Sequence, residues 1–89
     1  MKAVLERQLA EITEDELAEI FRMDYIRRLT RYRMTNDFYK KKYNQNLESF
    51  EKENYVHKQN YSFEVESDAE EWELAIDGIK TMERKLAEF

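Results

Sequence analysis

The chain has no cysteine and no proline, and Gly78 is its single glycine. The missing thiols exclude disulfides, thiolate metal sites and cysteine nucleophiles. Glycine and proline supply the special backbone angles of tight turns, so their near absence argues against a sandwich or barrel. It also removes every glycine-rich phosphate loop, which needs several closely spaced glycines. Long apolar runs are missing too. None approaches the ~18 residues that span a bilayer, and the opening MKAVLERQLAEI has no apolar core of signal-peptide length. The expectation is a soluble, cytoplasmic protein with no membrane partner.

What is present is charge and aromatic surface. Of 89 residues, 39% are charged and 13% aromatic, too aromatic for a disordered chain. Eighty-nine residues make one small domain, 1–89, with a modest core. The charge is segregated. Between Arg22 and Tyr43 eight Lys or Arg residues stand against two acids, a local +6 in a chain of net −5.

Hydrophobic spacing predicts an all-α fold. Leu5, Leu9 and Ile12 form a stripe on a first helix at about 2–12. Thr13 followed by Glu14, Asp15 and Glu16 reads as the cap and acidic first turn of a second helix at about 14–43. On it Leu17, Phe21, Tyr25, Leu29, Tyr32, Tyr39 and Tyr43 share one face, which Ile20 and Phe38 broaden; Met23, Ile26 and Met34 fall elsewhere. Thr35-Asn36-Asp37 is its weakest point, since such side chains compete for backbone hydrogen bonds. Asn46 caps a third helix at about 47–54, with Leu47 and Phe50 inward. In 55–66, Tyr61, Phe63 and Val65 alternate with polar residues, which reads as an extended connector or as a strand pairing with another molecule. Ser67-Asp68-Ala69-Glu70 is a capping box opening a last helix at about 68–88. Trp72, Ala75, Ile76, Ile79, Met82, Leu86 and Phe89 make its stripe, and Gly78 within it suggests close approach of another helix. The architecture expected is a long helical hairpin with short accessory helices, the acidic last helix facing the basic second one.

No catalytic set is evident. His57 is the only histidine and has no acid or nucleophile signature beside it. Glu70, Glu73 and Asp77 share a helix face that a hard cation would suit, but the Glu-x-x-His pairs of carboxylate bundles are missing. The expectation is a non-enzyme without cofactor or metal. Arg27, Arg28, Arg31 and Lys41, interleaved with tyrosines, could hold phosphates while bases stack. Against nucleic acid stand the net negative charge and a basic set that winds round the helix. Arg and Tyr are also enriched in protein interfaces, and twelve aromatics exceed what a thin hairpin easily covers. Tyr25, Tyr32, Tyr39, Glu71, Trp72 and Ile76 are the expected partner-binding residues, with a homodimer or a heteromeric partner covering the surplus.

The stretch FYKKKYNQNLESFEK from Phe38, and Asp68, Glu71, Trp72 and Glu73 in a D-x-x-E-W-E pattern, resemble short prokaryotic proteins encoded ahead of putative toxins in two-gene modules. The similarity covers about residues 38–89 and departs from the pattern at Asn44, where a glycine is common. It implies an antitoxin-like, non-enzymatic protein that binds a cognate toxin-like protein; physically, the acidic helix 68–77 could lie in a basic groove of such a partner, with Trp72 as anchor.

Overall fold

The computed structural model describes residues 1–53, 55–58 and 62–89, and of residues 55 and 56 the backbone alone. Five helices follow in order: α1 (Lys2–Glu11), α2 (Glu14–Tyr43), α3 (Leu47–Lys52), α4 (Tyr55–Lys58) and α5 (Phe63–Leu86), with no strand among the described residues. The long hairpin is α2 against α5. The molecule measures 56 × 27 × 16 Å with a radius of gyration of 18.4 Å, against about 12 Å for a compact chain of this length.

Local chemistry sets most boundaries. The Thr13 hydroxyl accepts from Glu16 N at 3.1 Å and starts α2. Asn44 ends it in the left-handed region, φ 52°, its N–H donating to Lys40 O; asparagine tolerates that region better than most residues. Asn46 Oδ1 accepts from Ser49 N at 2.8 Å and starts α3.

Helix α2 spans the expected range and runs unbroken through its weakest expected point, Thr35-Asn36-Asp37. The Thr35 hydroxyl donates to Arg31 O at 3.2 Å within the helix, and Asn36 Oδ1 accepts from Trp72 Nε1 at 2.8 Å. Groups that could compete with the helix are thus occupied inside it or across the hairpin. The expectation for 55–66 is corrected where those residues are described. Residues 55–58 are helical, and α5 begins at Phe63, capped by Ser62 through its 3.3 Å bond from Val65 N. Ser67 is interior to the helix. The alternation of Phe63 with Val65 was only a local coincidence: Val65 is buried, four residues before Ala69 and seven before Trp72, so it extends the α5 stripe by a turn. Phe63 points to solvent. Tyr61, the other member of that alternation, lies outside the described residues.

The core sits toward one end. Tyr39, Phe50, Val65 and Trp72 form a buried cluster, with Tyr43, Leu47, Ala69 and Ile76 packed around it. Trp72 is 0% exposed and Phe50 1%. Tyr43 stacks on Trp72 with centroids 6.0 Å apart and meets Phe50 edge-on at 4.9 Å. Farther along, Leu29, Ala75 and Met82 are buried between α2 and α5. Gly78 is a point of close approach: a Cβ placed there would lie 2.5 Å from Tyr32 Cε2. The hairpin closes on Tyr25, whose ring centroid is 6.2 Å from that of Phe89. The Phe89 ring also lies under the Arg22 guanidinium at 5.4 Å.

Candidate interaction surface

The two halves of the molecule carry their hydrophobic residues differently. Around the aromatic cluster, polar groups close the edges of the core. Tyr39 OH donates to Glu71 Oε2 at 2.6 Å, and Tyr43 OH to Asp68 Oδ2 at 2.6 Å. Lys42 Nζ donates to Asp68 Oδ2 at 2.5 Å and to Glu64 Oε1 at 2.8 Å. No buried side-chain polar atom among the described residues lacks a partner.

These bonds shift the titrating groups. Burial, reinforced by the Glu71 carboxylate, pushes the Tyr39 phenol well above its ordinary range. Burial and then Asp68 do the same for Tyr43. Hydrogen bonds from its ammonium to Asp68 and Glu64 raise Lys42. Burial alone would raise Asp68, but hydrogen bonds from Lys42 and Tyr43 outweigh it and hold the carboxyl below the usual range. Glu73 is raised, chiefly by a hydrogen bond shared with Glu51 and then by burial.

The pH consequence follows from the signs. A phenol or ammonium raised in the fold stabilises it below the group's ordinary value. That stability is lost as pH rises through the folded value. Tyr39, Tyr43 and Lys42 act in the same direction, so the urea midpoint falls once pH passes about 10. The double variant Tyr39→Phe, Tyr43→Phe flattens that fall; an unchanged alkaline limb would refute the assignment. At the acid end Asp68 stabilises above the ordinary carboxylate range and loses this as pH drops. Glu73 runs the other way, its contribution present at low pH and lost as pH rises.

Burial separates the expected partner residues. Tyr39 and Trp72 are interior and cannot anchor another protein, which corrects the reading of Trp72 as a projecting anchor. Ile76 packs against the same cluster. Tyr32 lies against Gly78, and Tyr25, half-buried, lies between Phe21 and Phe89. Glu71 is exposed and accepts the Tyr39 bond. Burial of a large aromatic and exposure to a partner share one sequence signature, so spacing could not separate them.

Of the expected phosphate-binding set, Arg27 and Arg28 both pair with Asp24, at 3.1 and 3.0 Å. Arg22 pairs with Glu19. Arg31 and Lys41 enter no ion pair among the described residues, but at ~1.5 Å per residue ten positions put them roughly 15 Å apart along α2. Arg28 lies about 100° round from Arg27. No continuous basic stripe results. The expected pairing of basic α2 with acidic α5 is realised by Lys42 and by Arg33, 3.5 Å from Glu83. The remaining arginines of α2 that form ion pairs do so within their own helix.

The surface that sequence reasoning missed is at the other end. Helix α1 has no buried residue, and Val4, Leu5 and Leu9 are exposed on it, with Met1 at its N-cap. Ile20 and Phe38 do not broaden the α5-facing stripe. They point away from α5, 55% and 60% exposed, beside Met23 at 59% and Met34 at 65%. A groove of about 440 Å³ runs between α1 and the start of α2, lined by Leu5, Leu9, Ile12, Leu17 and Ile20 with Glu11 and Glu16 at its rim. The sequence carries the signal in Met23 and Met34, outside the main arc; Ile20 and Phe38 belong with them and not on the α5-facing side.

Among the described residues no helix is long and apolar enough to cross a membrane, and no three metal-ligating side chains cluster. Comparison with protein-family models, curated proteins and solved structures gives no match.

Proposed function

We propose that the chain is a small, non-enzymatic, cytoplasmic protein-interaction module that binds through α1 and the outward face of α2. The observation that carries this reading is the distribution of apolar surface. The described cluster buries Tyr39, Phe50 and Trp72, while Val4, Leu5, Leu9, Ile20, Met23 and Met34 remain exposed on α1 and on the side of α2 away from α5. Contiguous exposed apolar surface on a small protein marks an interaction site. In its sharpest form the reading is antitoxin-like neutralisation of a cognate protein. The anchor then lies on the Ile20–Met23 face, since Trp72 is interior. Nucleic-acid binding by Arg27, Arg28, Arg31 and Lys41 is less well supported, because Asp24 neutralises part of that set and large apolar side chains interrupt it.

A photo-crosslinking amino acid placed at position 23 of the full chain in its own cells tests the proposal. Irradiation yields a protein-sized covalent adduct at position 23 and none at position 70, which is exposed on the polar side of α5. No adduct at position 23 or at position 34 would remove the reading.

A further inference from the structure

On the side of α2 that faces away from α5, Glu16, Ile20, Met23, Arg27, Thr30 and Met34 recur at alternating intervals of four and three. All are exposed. That alternation is the seam of a helix that packs along a second helix. It is separate from the stripe that α5 covers, so α2 is built for two neighbours, of which the monomer supplies one. Glu16, Ile20, Met23 and Arg27 also line one shallow surface depression with Glu19. The charge along α2 then says which neighbour fits. Glu14, Asp15, Glu16 and Glu19 have no base among them, only Glu19 being paired, to Arg22, and the next stretch holds Arg22, Arg27, Arg28, Arg31 and Arg33 against the single acid Asp24.

We infer that the occupant of this face is a second copy of the chain, its α2 running antiparallel, with the two-fold axis between Phe21 and Arg22. This rests on the interaction reading above and names its partner. In that register Ile20 meets the second copy's Met23, and Glu16 meets the second copy's Arg27. Each contact occurs twice, as two-fold symmetry requires. Parallel pairing would set Glu16 on Glu16 and Arg27 on Arg27, which repel. The antiparallel register sets Glu14, Asp15 and Glu16 over the stretch of the mate that holds Arg27 and Arg28, with Glu19 at the level of Asp24. Arg27 already touches Asp24 at 3.1 Å, but its side chain is 68% exposed, so that pair is weak and leaves guanidinium N–H groups for Glu16. The crossing of α2 on α2 spans about 12 residues, roughly 18 Å. Glu16 and Ile20 of the seam also line the groove with Leu5, Leu9, Ile12 and Leu17, so the groove opens directly beside the seam.

Sedimentation equilibrium of the full chain between about 1 µM and about 500 µM tests this against a dilution-sensitive dimer. The wild type reaches twice the chain mass at the upper end. Ile20→Lys with Met23→Lys weakens dimerisation at least tenfold while helicity by circular dichroism is unchanged, because neither side chain is in the fold's core. Glu16→Arg or Arg27→Glu alone weakens it about tenfold, each reversal acting at two symmetric contacts. The double swap recovers wild-type affinity to within about threefold, because it restores opposite charges across the seam. A monomer at every concentration overturns the inference. So does a dimer indifferent to the lysine substitutions, or one that the charge swap fails to restore. If the pure chain stays monomeric while position 23 crosslinks to a different protein, the self-association is wrong and the interaction module stands. If the monomer instead shifts a single-stranded oligonucleotide, with no adduct at position 23 or 34, both are wrong.

Discussion

Trp72→Ala lowers the stability of the isolated chain by about 3–5 kcal/mol, the usual cost of emptying a large aromatic site in a core. The indole is wholly buried among Tyr39, Tyr43 and Phe50. It also donates to Asn36 at 2.8 Å, so the truncation leaves that amide without its cross-helix donor. For a domain of this size the loss corresponds to a fall of about 20 °C in Tm. Small domains hold about 5–15 kcal/mol in total, so the variant is at or near unfolding at physiological temperature. Thermal denaturation by circular dichroism at 222 nm reads the effect, and Trp72→Phe separates its parts. The phenyl ring keeps much of the packing, losing the hydrogen bond and part of the indole volume, so it costs less than alanine. A surface anchor would behave otherwise: Trp72→Ala would leave Tm nearly unchanged and abolish association. A loss below about 1 kcal/mol would place the core elsewhere.

Gly78→Leu destabilises by about 2–3 kcal/mol, at the upper end of the range for overpacking. The obstacle is specific. Three atoms of the Tyr32 ring lie 2.5 to 2.7 Å from where a Cβ would stand, well inside van der Waals contact. Tyr32 is half-buried between the two long helices, so its ring has to swing out or the helices have to part. Gly78→Ala is the sharper diagnostic because two effects oppose each other. Alanine gains up to about 1 kcal/mol of helix propensity over glycine, and the same Cβ meets the tyrosine. With Tyr32 present the substitution is destabilising. In a Tyr32→Ala background the obstacle is gone and Gly78→Ala becomes stabilising. That reversal of sign in a double-mutant cycle is the signature of direct contact. Additivity of the two substitutions would refute the close approach of α2 and α5 at this point.

Much of the hairpin was legible from short-range signals. Thr13 and Asn46 announced the starts of α2 and α3, and Asn44 fell at the end of α2, because caps are satisfied by backbone groups within three or four residues. The α5 stripe from Trp72 to Leu86 was legible because one helix face stays in contact with one neighbour along its length. Ser67 misled for the same local reason. It has the residues of a capping box, but Ser62 supplies an earlier cap and Val65 gains burial from the extra turn. The expected weakness at Asn36 failed because its competitor for the backbone, the side-chain amide oxygen, is held by Trp72 thirty-six residues away.

By itself, then, the sequence determined an all-α chain, two long amphipathic helices, their main stripes and most of their caps. These depend on interactions within a turn or two of helix. Only the tertiary structure decided which apolar side chains those helices keep and which they leave over. Tyr39 and Trp72 went inward because α3 closes Phe50 over them. Ile20 and Phe38 went outward because α5 occupies the opposite side of α2, and Met23 and Met34 stay outside with them. An exposed seam and a buried stripe have the same composition and nearly the same period; what separates them is the position of the neighbouring helix, and that is fixed by contacts between residues far apart in the chain.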